Sequence, residues 1–234
     1  MARLYLIPNK IGEEHYDLQF PSGLKDIISG ITCFIVEDIR NARRFIRSIC
    51  AEQNIDEIKF FELNKHTNPN DIAGFLKPIE EGRDVGLLSE AGVPCVADPG
   101  AVVVNLAHGK NVEVVPLTGP SSLLLTLMAS GLNGQRFCFH GYLPIDRKER
   151  IQAIKQLEKD SKIKNETQIF IEAPYRNNQL LADILSVCNG ETQLCLGIEI
   201  YNKDNIIKTY SVNTWKNQKT DLHKKMVVYV LMAI

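Results

Sequence analysis

Short apolar runs alternate with segments of helical length along the first half of the chain. This alternation is typical of parallel strands joined by crossover helices. Asn68 followed by Pro69 suits the start of a helix, and Gly82 and Gly109 stand where helices should end. The pattern predicts five strands, at residues 4–7, 31–36, 58–63, 85–89 and 112–115.

The second half continues the alternation and then departs from it. A strand at residues 206–212 follows the strand at 194–200 after a turn-like segment, 202–205, which is too short for a helical crossover. An antiparallel pair is therefore expected there. The remaining pattern predicts strands at 137–140 and 168–172 and helices at 122–130, 147–159 and 177–187.

The predicted fold class is α/β, with two α/β/α domains. The N-terminal domain, residues 1–115, is expected to hold a mostly parallel five-stranded sheet, and the C-terminal domain, residues 116–234, a mixed sheet. Ligands of such sheets bind outside the carboxyl ends of the strands, so the loops at these ends are the first candidates for function.

Composition and charge remove several classes of protein. Of 234 residues, 44% are hydrophobic and 24% charged, which is typical of a globular protein rather than a disordered or fibrous one. The net charge of −1 gives no overall field toward nucleic acid, so a polyanion would have to bind a local patch. The longest apolar run, residues 226–234, is far below the roughly 20 residues of a membrane span. No signal peptide is recognisable, so we expect a cytoplasmic protein without a membrane partner.

Cysteine and histidine spacing indicates neither disulfides nor metal. The six cysteines include no Cys-x-x-Cys pair, and the five histidines show no ligand spacing. Free thiols and no metal site are therefore expected.

Three loops at predicted strand ends carry candidate chemistry. Residues 88–100 follow the fourth strand with two glycines, two prolines and the carboxylates of Glu90 and Asp98, although a tight structural turn would use the same residues. Residues 117–122 pass through Gly-Pro into a helix whose first amides can receive polar ligand atoms or can simply be capped by serine. Residues 171–176 join a carboxylate, an aromatic ring and a guanidinium at another strand end.

A basic stripe is predicted on the helix after the second strand. Its four arginines are spaced i, i+3, i+4 and i+7, which places them on one helix face. This face suits a polyanion such as RNA, or it is a solvated basic surface. Glu37 and Asp38, just before it, could be helix caps. The stripe comprises Arg40, Arg43, Arg44 and Arg47.

Several common motifs are absent from the sequence: the dinucleotide fingerprint, the phosphate loop ending Gly-Lys-Ser/Thr, and the Gly-x-Ser-x-Gly elbow. Six other segments occur in one order along nearly the whole chain, and together they resemble the tetrapyrrole methylase superfamily of S-adenosylmethionine-dependent methyltransferases. Within it, they are most similar to the branch that methylates a ribose 2′-hydroxyl of small-subunit ribosomal RNA. The segments are Leu4-Tyr5-Leu6-Ile7-Pro8 with Ile11-Gly12, Glu37-Asp38-Ile39-Arg40, residues 89–100, Gly119-Pro120-Ser121-Ser122 with Ala129-Ser130-Gly131-Leu132, Phe139-His140-Gly141-Tyr142-Leu143-Pro144, and Glu172-Ala173-Pro174-Tyr175-Arg176.

The resemblance implies two α/β domains with S-adenosylmethionine in the cleft between them, S-adenosylhomocysteine as product, no metal, and a homodimer. Carried over by position, it implies donor contacts in loops from both domains. These contacts are Pro8, Ser89, Glu90, Ala91, Gly92, Val93, Ala97, Asp98, Ser121, Ser122, Ala173, Gly197 and Ile198.

The same resemblance indicates candidate residues for catalysis and for binding RNA. Asp38, Glu90 and Asp98 are the candidate catalytic acids for accepting a proton, and the arginine stripe is the candidate contact for RNA phosphates. The chain departs from the branch at Glu90 and Val93, where Asp and Thr are usual, and at Ala97, where Ser is usual. The length leaves little room for an additional C-terminal RNA-binding domain.

Three functions remain open at this point. Methylation of ribosomal RNA, with the small ribosomal subunit as partner, is the first expectation. Methylation of a tetrapyrrole or another small molecule is the second. A non-catalytic protein that binds S-adenosylmethionine or a partner protein is the third.

Overall fold

The computed structural model describes residues 2–234, apart from the side chain of Tyr16. The chain forms two compact units. The first consists of the described residues up to Ile11 together with His15–Ser121, and the second of Gly12–Glu14 with Ser122–Ile234. All six cysteines are free thiols. No helix within residues 2–234 is both long and apolar enough to cross a membrane.

The first unit alternates strands and helices in the predicted order. Its strands differ from the predicted bounds by one or two residues at their ends. Its elements are β1 (Arg3–Ile7), α1 (Tyr16–Gln19), α2 (Leu24–Ser29), β2 (Cys33–Val36), α3 (Ile39–Ile49), β3 (Lys59–Glu62), α4 (Pro69–Ile72), α5 (Lys77–Glu80), β4 (Val85–Leu88), α6 (Ala101–Gly109) and β5 (Glu113–Pro116).

All four strand pairings of this sheet are parallel, in the order β3-β2-β4-β1-β5, which confirms the predicted parallel sheet. All four residues of β2 and all four of β4 are buried. Central parallel strands are covered by helices on both faces, so they read as continuous apolar runs. Because the strands are parallel, the loops that follow them emerge at one carboxyl edge.

The second unit is built around a mixed sheet. Helix α8 is longer than predicted, and strand β6 extends two residues beyond the predicted end. The elements are α7 (Ser122–Ser130), β6 (Phe137–Tyr142), α8 (Arg147–Lys164), β7 (Thr167–Ile171), α9 (Asn177–Val187), β8 (Gln193–Ile198), β9 (Ile206–Ser211), α10 (Val212–Lys216) and β10 (Val227–Met232).

The order of the second sheet is β6-β7-β10-β8-β9. Only the pair of β6 with β7 is parallel, and β8 pairs with β9 in antiparallel fashion, as the short turn predicts. The mixed sheet is therefore confirmed. Its central strand, β10, was not among the predicted strands, although the apolar run at residues 226–234 was evident. Five of its six residues are buried, so the run lacks the alternation that marks a half-exposed strand.

Candidate functional site

Three loops of the first unit are held against one another at the carboxyl edge of the parallel sheet. Asn9, two residues after β1, forms an antiparallel bridge with Gly92 in the loop after β4. The two backbone N···O distances are 2.9 and 3.0 Å. The side-chain amide of Asn9 also donates to the Ser89 carbonyl at 2.9 Å. The loops after β1 and β4 are therefore fixed to each other by buried hydrogen bonds.

Glycine allows the third loop to approach them. A Cβ on Gly119, in the loop after β5, would lie 2.1 Å from Cβ of Pro8, so a side chain cannot be accommodated there without a shift. Gly92 has φ +71°, and a Cβ on it would lie 3.1 Å from the Pro120 carbonyl oxygen. The structure thus brings the loops after β1, β4 and β5 together, and with them the predicted donor contacts Pro8 and Gly92.

Two carboxylates at this edge are used to organise the loops. Asp38 caps helix α3, and its Oδ1 accepts from the backbone N–H of Asn41 at 2.8 Å. The side-chain amide of Asn41 donates to Glu90 Oε2 at 2.8 Å. The start of α3 is thereby linked to the loop after β4, and the capping interpretation of Asp38 is confirmed.

Asp98 shapes the end of the long loop. Its Oδ1 accepts from the backbone N–H groups of Cys95 and Gly100, at 3.1 and 2.6 Å. Cys95 and Ala97 have φ values of 67° and 59°, in the left-handed region that side chains other than glycine avoid. Such conformations persist only where surrounding contacts over-determine them, and they concentrate at functional sites.

Glu37 is the titratable group at this edge that departs most clearly from ordinary behaviour. It directly follows β2, whose four residues are buried. Burial, together with the negative charges of Asp98 and Glu90, raises the pKa of Glu37 to about 7. A carboxyl with this pKa exchanges its proton near neutral pH, which suits general acid or base catalysis.

The sequence pattern predicts only a possible helix cap at Glu37 and does not indicate a catalytic role. The available signal was its position immediately after an apolar strand that points to the carboxyl edge.

Within the described residues, no cluster of three or more histidine, cysteine, aspartate or glutamate side chains could hold a metal ion.

In the second unit, predicted donor contacts lie around the carboxyl end of β7. Glu172 is buried, and its Oε1 accepts from the Ala173 N–H at 2.6 Å and from the Arg176 guanidinium at 2.5 Å. The Ala173 carbonyl accepts from the backbone N–H of Arg176 at 2.9 Å. The predicted contact Ala173 therefore sits in a turn closed by this ion pair.

Strand β8 carries two further predicted contacts. Gly197 lies level with Ile171 of β7, since both pair with Val228 of β10 between them. A Cβ on Gly197 would lie 2.2 Å from the Thr126 hydroxyl oxygen of α7, so close helix packing accounts for this glycine. Ile198 is buried in the main apolar cluster of the unit.

The remaining predicted contacts have simple local environments. Ser121 is buried, while the carbonyl of Ser122, at the start of α7, accepts from the Thr126 hydroxyl at 2.7 Å. Ala91 and Ala97 are exposed, and Val93 is half-buried. Direct donor contact by any of these residues stays a prediction.

The predicted arginine stripe is present on α3 with one change. Arg43 forms an ion pair with Asp56, so its charge is compensated. Arg40, Arg44 and Arg47 are exposed. Three cations therefore remain available on this helix face.

Curated relatives share the sequence over most of its length. The chain is 32% identical over 197 residues to "Ribosomal RNA small subunit methyltransferase I" of Vibrio cholerae, covering 84% of this chain and 64% of that protein. It is 31% identical over 205 residues to the protein of the same name from Bacillus subtilis, covering 87% and 65%. The chain thus spans slightly less than two thirds of the length of these relatives. No family model matches the chain.

Solved structures share the architecture. Diphthine synthase aligns with a TM-score of 0.68 at 14% identity, covering 99% of this chain and 90% of that one. The methyltransferase CobJ aligns with a TM-score of 0.66 at 13% identity, covering 100% and 95%. At such identities the similarity establishes the fold alone. This shared fold agrees with the resemblance to the tetrapyrrole methylase superfamily that the ordered motifs carry. The sequence relatives show the family itself, and the chain belongs to the family of the proteins named "Ribosomal RNA small subunit methyltransferase I".

Proposed function

We propose that this protein transfers a methyl group from S-adenosylmethionine to a ribose 2′-hydroxyl of small-subunit ribosomal RNA. The observation that carries the proposal is the convergence of the loops after β1, β4 and β5 beside Glu37 at one carboxyl edge. The sequence relatives are named as methyltransferases of small-subunit ribosomal RNA, which supports methyl transfer and this class of substrate.

The residues at this edge fit the methyl donor by size and charge. Ala91 and Ala97 are exposed and carry only a methyl group, so they leave space for a ligand. Glu37, Glu90 and Asp98 concentrate negative charge, which complements a donor that carries a sulfonium and an ammonium group. Ser122, Ala173, Gly197 and Ile198 of the second unit are proposed as donor contacts on the family resemblance alone.

S-adenosylmethionine, when bound, supplies a methyl group activated by its sulfonium. The protein then has to orient the ribose hydroxyl, exclude water and accept a proton. We assign proton acceptance to Glu37, since a base is most effective when its pKa lies near the working pH. Burial, together with the negative charges of Asp98 and Glu90, keeps the pKa of Glu37 near neutrality, and Asp38 caps the start of α3.

The partners follow from the same proposal. The exposed arginines of α3 bind RNA phosphates, and the small ribosomal subunit is the macromolecular substrate. The protein acts in the cytoplasm as a homodimer, which is the assembly that the family resemblance implies.

The first test is calorimetric titration of the purified protein with S-adenosylhomocysteine, with NAD and ATP as controls. Binding of S-adenosylhomocysteine alone is the expected result. Labelled donor and small ribosomal subunits that lack ribose methylation then test the substrate, and nucleoside digestion of the RNA identifies the labelled position. Label on a base or on protein would overturn the ribose assignment.

A matched pair of variants tests the role of Glu37. Glu37→Gln should lower the rate of methyl transfer by about 100-fold or more while leaving S-adenosylhomocysteine affinity within a few fold. Glu62→Gln, at the exposed end of β3, should leave both unchanged. A loss of less than about tenfold in Glu37→Gln would remove the assignment of Glu37 as base.

A further inference from the structure

The exposed face of α3 carries positive charge that the protein itself does not neutralise. Arg40, Arg44 and Arg47 are exposed, and none of them forms an ion pair or a side-chain hydrogen bond within residues 2–234. Ala42 and Phe45, which point the other way, are buried. The three guanidinium groups therefore face solvent along one side of the helix.

One row of residues along α3 ends at a cavity. Arg40, Arg44 and Ser48 are spaced four residues apart, so they form one row that rises about 6 Å at each step. Ser48 lines a cavity of about 230 Å³ at the C-terminal end of α3. A chain of anionic groups that follows the arginine row therefore arrives at the mouth of this cavity.

The residues that line the cavity suit a planar aromatic ring. Phe20, Leu24 and Ile49 supply apolar surface, and Lys25 and Asp17 supply polar groups. Phe20 is half-buried and its ring lies 5.8 Å from that of a buried phenylalanine of α3, which fixes its position. The cavity is smaller than the roughly 300–1,000 Å³ typical of sites for drug-sized ligands, so it suits one planar group.

We propose that α3 and this cavity bind a single-stranded RNA segment, with phosphates on Arg40, Arg44 and Arg47 and one unstacked base in the cavity against Phe20. The inference rests on the proposed function for its choice of RNA as the polyanion, and it adds a base subsite and a requirement for unpaired RNA.

Single-stranded RNA fits these features better than a duplex does. A base can enter a cavity only when it is unstacked, and proteins that bind single strands combine a basic track with aromatic surfaces for bases. The net charge of −1 means that attraction to RNA has to come from a local surface of this kind.

The test is fluorescence anisotropy of the full chain with a labelled single-stranded RNA of about 12 nucleotides at about 50 mM salt, a length within the range of known single-strand sites. Two comparison ligands have the same length: an abasic ribose-phosphate strand and an RNA duplex. The base-bearing strand should bind about five- to tenfold more tightly than the abasic strand, and more tightly than the duplex. Equal binding of the base-bearing and abasic strands would overturn the base subsite.

Variants separate the phosphate contacts from the base subsite. Arg44→Ala and Arg47→Ala should weaken both single strands by the same factor and lower the salt dependence, whereas Arg136→Ala, an exposed arginine of the second unit, should not. Ser22→Trp, at the exposed rim of the cavity, should weaken only the base-bearing strand. Gln135→Trp, at an exposed position of the second unit, controls for an added tryptophan.

The outcomes also separate this inference from the proposed function. If the protein binds S-adenosylhomocysteine but the α3 variants bind RNA as tightly as the unmodified protein, the RNA-binding role of α3 is wrong. The methyltransferase proposal then still stands. Failure to bind S-adenosylhomocysteine, with the predicted RNA effects present, would support the surface and overturn the methyltransferase. Circular dichroism of each variant confirms that it is folded.

Discussion

Glu37 and Glu172 each directly follow a buried strand, and the charges around them are opposite. Glu37 follows β2 in the first unit, and its pKa rises to about 7 because it is partly buried and faces the carboxylates of Asp98 and Glu90. Glu172 follows β7 in the second unit and is joined to the Arg176 guanidinium and the Ala173 N–H. The same residue type at the same kind of position thus faces like charge in one unit and opposite charge in the other.

This difference indicates which carboxylate is suited to proton transfer and which to stabilising the fold. A carboxylate held by a guanidinium and an amide stabilises a turn and is costly to remove. A carboxyl placed among other carboxylates is costly to ionise, and it therefore exchanges its proton near neutral pH.

Removing the buried carboxylate of the second unit should have the largest effect. Glu172→Ala leaves the Arg176 guanidinium without its partner, and we expect the free energy of unfolding to fall by about 3 kcal/mol. Urea denaturation followed by circular dichroism measures it. Glu80→Ala breaks the exposed pair with Lys110 and should change stability little. Equal losses in the two variants would contradict a structural role for Glu172.

Replacing Glu37 should raise the free energy of unfolding, which is opposite to the effect expected at Glu172, and the size of the change should depend on pH. Because the pKa of Glu37 is raised to about 7 in the folded protein, its contribution to stability is fully present below about pH 4.5 and is lost as the pH rises through 7. Glu37→Gln should therefore stabilise the protein at pH 8, by about 1–2 kcal/mol after allowance for its partial exposure. At pH 5 the two proteins should differ much less. A stability difference that does not change between pH 5 and 8 would contradict the raised pKa.

Neutralising one neighbour of Glu37 should sharpen the comparison. Asp98→Asn retains an oxygen that can accept from the Cys95 and Gly100 N–H groups, but it removes a negative charge. The pKa of Glu37 should fall below its value of about 7 and stay above that of an ordinary glutamate, since burial is the largest cause of the rise. Carbon-13 NMR titration of labelled glutamates would report it. An unchanged midpoint would exclude Asp98 as a cause.

The smallest effect should come from the link between α3 and the loop after β4. Asn41→Ala removes the hydrogen bond to Glu90, and the free energy of unfolding should fall by no more than about 1 kcal/mol. The same denaturation experiment measures it. A fall in the free energy of unfolding as large as that expected for Glu172→Ala would contradict the small contribution expected of an exposed hydrogen bond.

Local patterns predicted much of the fold and the location of the loops. Continuous apolar runs such as Val85–Leu88 read correctly as buried parallel strands, and the glycines and prolines at residues 92–100 correctly indicated a loop at a strand end. Strand β10 escaped prediction because a fully buried antiparallel strand has no alternation to reveal it. Capping by Asp38 could be proposed from the sequence, beside a catalytic role, because capping depends on neighbours within one helical turn.

The roles of the charged groups could be predicted less well. Arg43 belongs to the predicted stripe by spacing, yet Asp56, thirteen residues away, compensates its charge. Glu37 and Asp98 are separated in the chain by two strands, β3 and β4, and by three α-helices, α3, α4 and α5. Glu37 also lies in a pattern that suits a helix cap. Spacing along the chain reports the face of a helix, but it does not report which distant charges meet.

The sequence by itself determined the α/β class, the parallel first sheet, the order of the family segments and the edge at which they emerge, because these follow from local periodicity and chain direction. Only the tertiary structure decided that Glu37 meets Asp98 and Glu90 while Glu172 meets Arg176. Proton affinity depends on burial and on distances between charges, and folding sets both across segments that lie far apart in the chain.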